Sequence, residues 1–461
     1  MERTGRSVLL VTTRVRRSAS RPEDQVFSFS AFPSSPSRSC CSRVNENKSV
    51  RPVASLAVLT GLNLLDYLDR QLLAAVLPPL QAELKVGDEQ AGNIGTAFML
   101  GYFLTSPLFG YLGDRMPRRW LVAAGVFVWS LGTLLSGHAN AYVSLIFFRT
   151  LVGFGEASFG TISPGWIADL FPPRRRNNAI SWFYLAIPVG SALGYIIGGL
   201  LAKHYGWRAA FMFAGYPGLL LASVLFLLRE PARGATEPAR PESVVVMQPV
   251  GWKSYGALLK FPSYLLVIAG YIAQTFAMGG FSFWAPTFLV RVHHMELDAA
   301  TGFFGQSLVI TGLIATLGGG YLATAWQRRT GSGYAWVLAL SAILAAPAAF
   351  AAFMLQDLAL AKVALAASMF LLFLCTGPLN TLILETVPVQ MRASAVAASI
   401  FSIHMFGDLW SPKFVGYLSD RWGDLQRACL WALPGTLVVS AFFWCWLVIW
   451  TKRHRAAPAS G

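Results

Sequence analysis

Apolar runs of about 20 residues recur along this chain, near 53–80, 90–112, 120–137, 141–171, 178–202, 207–228, 262–290, 300–325, 333–354, 358–387, 392–419 and 428–450. In lipid only a helix or a closed barrel satisfies its own backbone, so such runs read as spanning helices. The expectation is an all-α membrane protein with twelve transmembrane helices. Composition agrees, with 55% hydrophobic and 13% charged residues, against about 25% charged in a soluble domain. The polar stretch 229–261, with Pro231, Pro238 and Pro241, separates six spans from six. The expected units are therefore a bundle at 51–228, a linker at 229–261, a bundle at 262–451 and a basic tail at 452–461. Residues 1–50 are rich in Arg and Ser and poor in acids, which reads as a disordered or targeting-like tail. Cys40 and Cys41 within it are candidates for acylation.

The formal net charge is +15. In a chain with these spans it reflects basic loops facing anionic lipid, so membrane lipids are expected partners and nucleic acid is not. By span count, Arg115, Arg118, Arg119, Arg174, Arg175, Arg176, Arg229, Arg233, Arg328, Arg329, Arg392, Lys452 and Arg453 fall on one side. Basic loops stay in the cytoplasm, which predicts two cytoplasmic termini. Lys203, Arg208, Arg421 and Arg427 are exceptions.

The two halves resemble each other. "GYLGDRMPRR" at 110–119 aligns with "GYLATAWQRR" at 320–329, and "IADLFPPRRR" at 167–176 aligns with "ILETVPVQMR" at 383–392. Internal repeats of this kind belong to transporters that rock one half against the other.

A charge at the bilayer centre costs about 2.5–3.5 kcal/mol on insertion scales, so it is paired or functional. The first half has five near mid-span: Asp66, Asp69 and Arg70 in the first span, Arg149 and Glu156 in the fourth. Arg149, Gly153, Glu156, Gly160 and Ser163 share one helical face, with the glycines leaving room for a neighbour or a ligand. Arg149 and Glu156 stand roughly 10 Å apart along the axis. Asp69, Arg70 and Glu156 fall at one depth and are the expected proton-coupling group. An acid whose arginine partner comes and goes takes up and releases a proton, whereas a static buried salt bridge only fixes packing. At an offset of 216, the second half has Leu365 and Leu372 where the first has Arg149 and Glu156.

In the second half, His404 and Asp408 lie i, i+4, with Lys413 one turn beyond as a partner for Asp408. In "GYLGDRMPRR", Gly110 and Gly113 permit close packing and Asp114 can meet a helix N-terminus of the other half, with Arg118 or Arg119 holding it. Such contacts would latch one side of the molecule. No nucleophile elbow, phosphate loop or zinc spacing occurs in the sequence, so no enzyme activity, cofactor or metal is expected.

These residues resemble a known family. "GYLGDRMPRR" and "RTLVGFGEA" are similar to the loop and helix-four signatures of the major facilitator superfamily. "DYLDR" at 66–70, "RTLVGFGEAS" at 149–158, "FYLAIPVGSALGY" at 183–195 and "IHMFGDLWSP" at 403–412 resemble its Spinster branch of proton-linked lipid transporters. The resemblance runs from about residue 60 to the end of the last span. It implies two pseudo-symmetric six-helix halves and alternating access to a central cavity. It also implies coupling to protons through Asp69, Glu156 and Arg70. Arg149, Tyr184, Ser191 and His404 would bind an amphipathic or anionic small molecule, and Gly110, Gly113, Asp114, Arg118 and Arg392 would form a conformational latch. The short loops look bacterial, which implies a monomer in the bacterial inner membrane. A proton-coupled carrier of a small polar organic acid, and a non-transporting receptor or scaffold, are the alternatives.

Overall fold

The computed structural model describes residues 51–233, 235–236, 256–388 and 391–456. The tail 1–50 with Cys40 and Cys41, most of the linker and residues 457–461 lie outside the described residues. Within them the first half contains α1 (Pro52–Ala75), α2 (Leu77–Leu84), α3 (Asp88–Arg115), α4 (Arg118–Ser136), α5 (Tyr142–Leu170), α6 (Pro173–Tyr205) and α7 (Trp207–Leu225). The second half contains α8 (Pro262–Arg291), α9 (Leu297–Thr330), α10 (Gly333–Met354), α11 (Leu358–Leu374), α12 (Thr376–Glu385), α13 (Arg392–Ile403), α14 (Ser411–Trp422) and α15 (Leu425–Ala456). They group into twelve segments, six on each side of the linker. Among the described residues nine segments are long and apolar enough to cross a membrane by length and composition. The other three are α1 with its mid-helix charges, α3, and the pair α13–α14.

Three expected spans are not continuous helices. The first breaks at Val76, because Pro78 and Pro79 occupy the opening turn of α2, where missing N–H groups cost nothing. The tenth breaks at Cys375 between α11 and α12. The eleventh breaks at a π-helical turn, His404–Asp408, ahead of Pro412 in the first turn of α14. Gly407 lets this turn lie against the α8 backbone: a Cβ there would sit 3.1 Å from the Ile272 carbonyl.

Glycines also set how the first half packs. On α6, Gly190 and Gly194 recur every four residues and admit the Leu64 and Leu68 carbonyls of α1. On α5, Gly153 faces the Phe98 carbonyl of α3, and Gly155 faces the Gly125 carbonyl of α4. α1 therefore turns one side to α6, and α5 is gripped by α3 and α4.

Among the described residues, buried apolar side chains form three cores. One is shared by both halves and includes Leu72, Trp207 and Phe211 of the first with Trp284, Phe304 and Val415 of the second. The other two are private: Val122, Phe159 and Trp166 in the first half, and Leu338, Ile383 and Trp444 in the second. The private cores lie toward the end that carries the basic loops, here termed the basic end. At the opposite end the halves are bonded together. Asp88 accepts from Arg291 at 2.8 Å, and Lys203 meets Asp298 at 2.9 Å. Near mid-height the Tyr195 hydroxyl donates to the Ser282 carbonyl at 2.6 Å. Beyond the Phe103–Phe401 ring contact, α3 diverges from α13, and Leu104, Leu108 and Tyr111 are exposed. The molecule is closed at the opposite end and parted at the basic end. The end of α2 is anchored by Glu83, whose carboxylate Arg208 and the Trp207 indole hold below the usual range.

Candidate functional site

The five mid-span charges meet between α1 and α5. α1 offers Asp69 and Arg70 as neighbours, and α5 answers with Arg149 and Glu156 two turns apart. Arg149 Nη1 donates to Asp69 Oδ1 at 3.0 Å, and both side chains are 1% exposed. The Thr133 hydroxyl of α4 donates to the other Asp69 oxygen. Arg70 Nε donates to Glu156 Oε2 at 2.8 Å, and Arg70 Nη2 lies 3.5 Å from Asp66 Oδ2 one turn back. Glu156 is fully buried, whereas the Arg70 side chain is 19% exposed. Arg70 is thus the one member of the network with a substantial open face.

Aromatic rings complete the shell. Arg70 lies over Tyr67 at 4.8 Å, Tyr102 at 4.9 Å and Phe98 at 5.5 Å. Arg149 lies over the same Phe98 at 5.4 Å and over Phe211 at 5.7 Å. Ring faces carry partial negative charge and stabilise a guanidinium where water is scarce. Three polar atoms in the network have no partner among the described residues: Asp66 Oδ1, Glu156 Oε1 and Arg149 Nε.

The sequence reading and the structure differ in pairing. Asp69 and Glu156 do not share Arg70. Asp69 goes to Arg149, and Asp66 takes its place beside Glu156. The room left by Gly153 and Gly160 is filled by α3, with the Tyr102 hydroxyl against Gly160. Arg149, expected at an anionic head group, is sealed in this conformation by Asp69, Phe98 and Phe211. Tyr184 is 46% exposed, Ser191 is buried, and His404 bonds to Asp408 within its own turn at 3.0 Å. None of these three hydrogen-bonds to Arg70 or Arg149. Asp408 pairs with His404, and Lys413 instead packs its backbone where Gly92 of α3 approaches. Nothing in the sequence singles out Phe98, Tyr102 or Thr133. For Tyr67, the i, i+3 spacing to Arg70 is the one signal.

The expected latch residues sit apart. Asp114 is exposed, and Arg118 donates to Asp169 at 2.6 Å, within its own half, instead of holding Asp114. Gly113 packs against Ile162, and Gly110 is in ordinary contact with Thr161. Arg392 Nε donates to the Leu384 carbonyl at 2.9 Å. Arg233, from the linker, donates to the carbonyls of Gly113 at 2.6 Å and Met116 at 2.9 Å, and also to that of Asp114.

Known proteins place this architecture. Residues 59–412 match the family model of the Major Facilitator Superfamily. Protein spinster homolog 1 of Homo sapiens is 33% identical over 438 residues, covering 89% of this chain and 82% of that protein. The sphingosine-1-phosphate transporter SPNS2 of Danio rerio is 33% identical over 387 residues, covering 80% and 76%. Among solved structures, a bacterial homologue of the human lysosomal transporter Spinster, inward-facing and unoccupied, superposes with a TM-score of 0.78. It shares 23% identity and covers 88% of this chain and 99% of that one. The family is one of transporters and not of enzymes, and the solved structure shares the fold described above. Its apolar helices make the chain a multi-pass membrane protein. With a family match over most of its length and relatives a third identical across it, the chain belongs to the Spinster family of the major facilitator superfamily.

Proposed function

We propose that this transporter couples the movement of an amphipathic anion, a lysolipid or sphingoid phosphate in chemical class, to protons. It acts as a monomer in a bacterial inner membrane with its basic end and both termini in the cytoplasm. Residues 229–261 act as the cytoplasmic linker. The observation that carries the reading is a charge count. Among the described residues, the ion pairs of Asp66, Asp69 and Glu156 are with Arg70 and Arg149, so three acids, each no more than 3% exposed, meet two bases. One proton balances the excess. Asp66 Oδ1 and Glu156 Oε1 lack partners, and a proton on either acid supplies the missing donor.

Arg70 links this proton to the cargo. Its open face receives an anionic head group, while Tyr67 and Tyr102 offer aromatic surface to the rest of the molecule. A head group that draws Arg70 away leaves Glu156 uncompensated, and a buried uncompensated carboxylate takes a proton. Asp69 with Arg149 forms the second part of the coupling group, where Arg149 can release Asp69 only if the helices move. Tyr184 and His404, both with exposed surface, are proposed contacts for the cargo. The substrate class named for the zebrafish relative supports a lipid phosphate.

Proteoliposomes with an imposed pH gradient test this directly. Wild-type protein is expected to accumulate a lysophospholipid or sphingosine phosphate uphill, and small organic acids are not expected to compete. Glu156→Gln, Asp66→Asn and Asp69→Asn are expected to abolish uphill uptake while Glu156→Gln retains counterflow exchange. Uphill transport that survives in all three variants would place the proton site elsewhere.

A further inference from the structure

The hexapeptide Gly110–Arg115, GYLGDR, has a second copy in this chain: Gly416–Arg421, GYLSDR. The first closes α3 at the basic end and the second closes α14 at the opposite end. α3 and α14 pack side by side with opposite chain directions, so the copies stand at the two ends of one helix pair. In each, the aspartate lies in the last turn of its own helix. An acid there opposes the helix's own dipole, so the position is unfavourable unless another helix presents its N-terminus.

The second copy has found one. Asp420 Oδ1 accepts from the Asp88 backbone N–H at 2.9 Å, and Asp420 Oδ2 accepts from the Glu89 N–H at 2.8 Å. One carboxylate thereby caps the start of α3, a helix of the other half, whose own N-cap residue Gly87 has no side chain to do so. Both approaches depend on glycine. A Cβ at Gly416 would overlap the Asp88 carbonyl, and one at Gly87 would sit 2.8 Å from Asp420 Oδ2. Asp88 is held from three sides: Arg291 at 2.8 Å, Gln81 at 2.8 Å and Ser419 at 2.6 Å. In the first copy the Asp114 side chain is exposed, and Arg233 binds the backbone carbonyls of Gly113 and Asp114.

We infer that Asp420 and Gly416 are the latch residues for closure at the end opposite the basic loops, holding the two halves together through the start of α3. The cap needs neither substrate nor proton and is independent of the proposed coupling.

Double electron–electron resonance on lipid-reconstituted full-length protein tests it. Labels at Val143 and Leu360 report the capped end, and labels at Trp120 and Arg329 report the basic end; all four positions are exposed. Asp420→Ala is expected to raise the population parted at the capped end about three- to tenfold, the effect of losing a helix cap. Asp420→Asn keeps one acceptor oxygen and is expected to do less. Gly416→Ala is expected to do more, with matching shortening across the basic end. Wild-type distances in Asp420→Ala would overturn the proposal, whether or not Gly416→Ala folds.

Discussion

Phe98 lies beside two guanidinium groups, 5.5 Å from that of Arg70 and 5.4 Å from that of Arg149. Each arginine is also paired with an acid, Arg70 with Glu156 and Arg149 with Asp69. Removing one partner of a buried pair leaves the other uncompensated, which costs about 3–5 kcal/mol. Arg149→Met is therefore expected to lower the thermal midpoint of the purified protein sharply, and adding Asp69→Asn to recover most of the loss. A double variant no more stable than the single one would show that the loss does not come from leaving Asp69 without its partner. The charges themselves are legible in the sequence because a mid-span charge is costly and cannot be incidental. Their pairing is not. Asp66 and Arg70 stand i, i+4 on α1 and face each other, whereas Asp69 and Arg70 are adjacent and do not; that Arg149 takes Asp69 and Glu156 takes Arg70 is decided by how α5 packs on α1. Thr133 and Tyr102 are ordinary residues in apolar spans, with nothing in sequence to mark them.

Helices are where glycine acts. Gly153 brings α5 onto α3, and Gly194 brings α6 onto α1, so that water is excluded from the charges between them. The end of α3 depends on a different device. Its last carbonyls are bound by Arg233 from the linker, a cation at a helix C-terminus. Arg233→Ala is expected to speed amide hydrogen exchange at 112–116 with little change elsewhere, since the effect of such a cap stays within one turn. The apolar spans are readable from length alone. Their breaks at Val76, Cys375 and His404–Asp408 are not, because a run that stays apolar through a break looks the same as one that does not. Prolines follow the breaks: Pro78 in the first span, Pro378 in the tenth and Pro412 in the eleventh. Yet Pro164 and Pro188 lie inside the unbroken α5 and α6, so a proline alone does not mark an interruption.

Among the described residues, one shared core and two private ones describe two half-bundles joined at one end. The Lys203–Asp298 pair bridges them at the surface. An exposed pair contributes little, so Lys203→Ala is expected to change the distance between the halves far less than Asp420→Ala, and less still at high salt. The same spin-label distances read the difference. The repeat in the sequence makes the two-body plan legible; which end is closed depends on side-chain contacts that repeats do not encode. The bodies are also unequal. Leu365 and Leu372, both buried, hold the places in the second half that Arg149 and Glu156 hold in the first. The buried charges are thereby confined to one module. A lineage can redraw the lining of the second bundle without disturbing them, and a chimera carrying a relative's second bundle is expected to keep the Arg70 and Arg149 pairs intact.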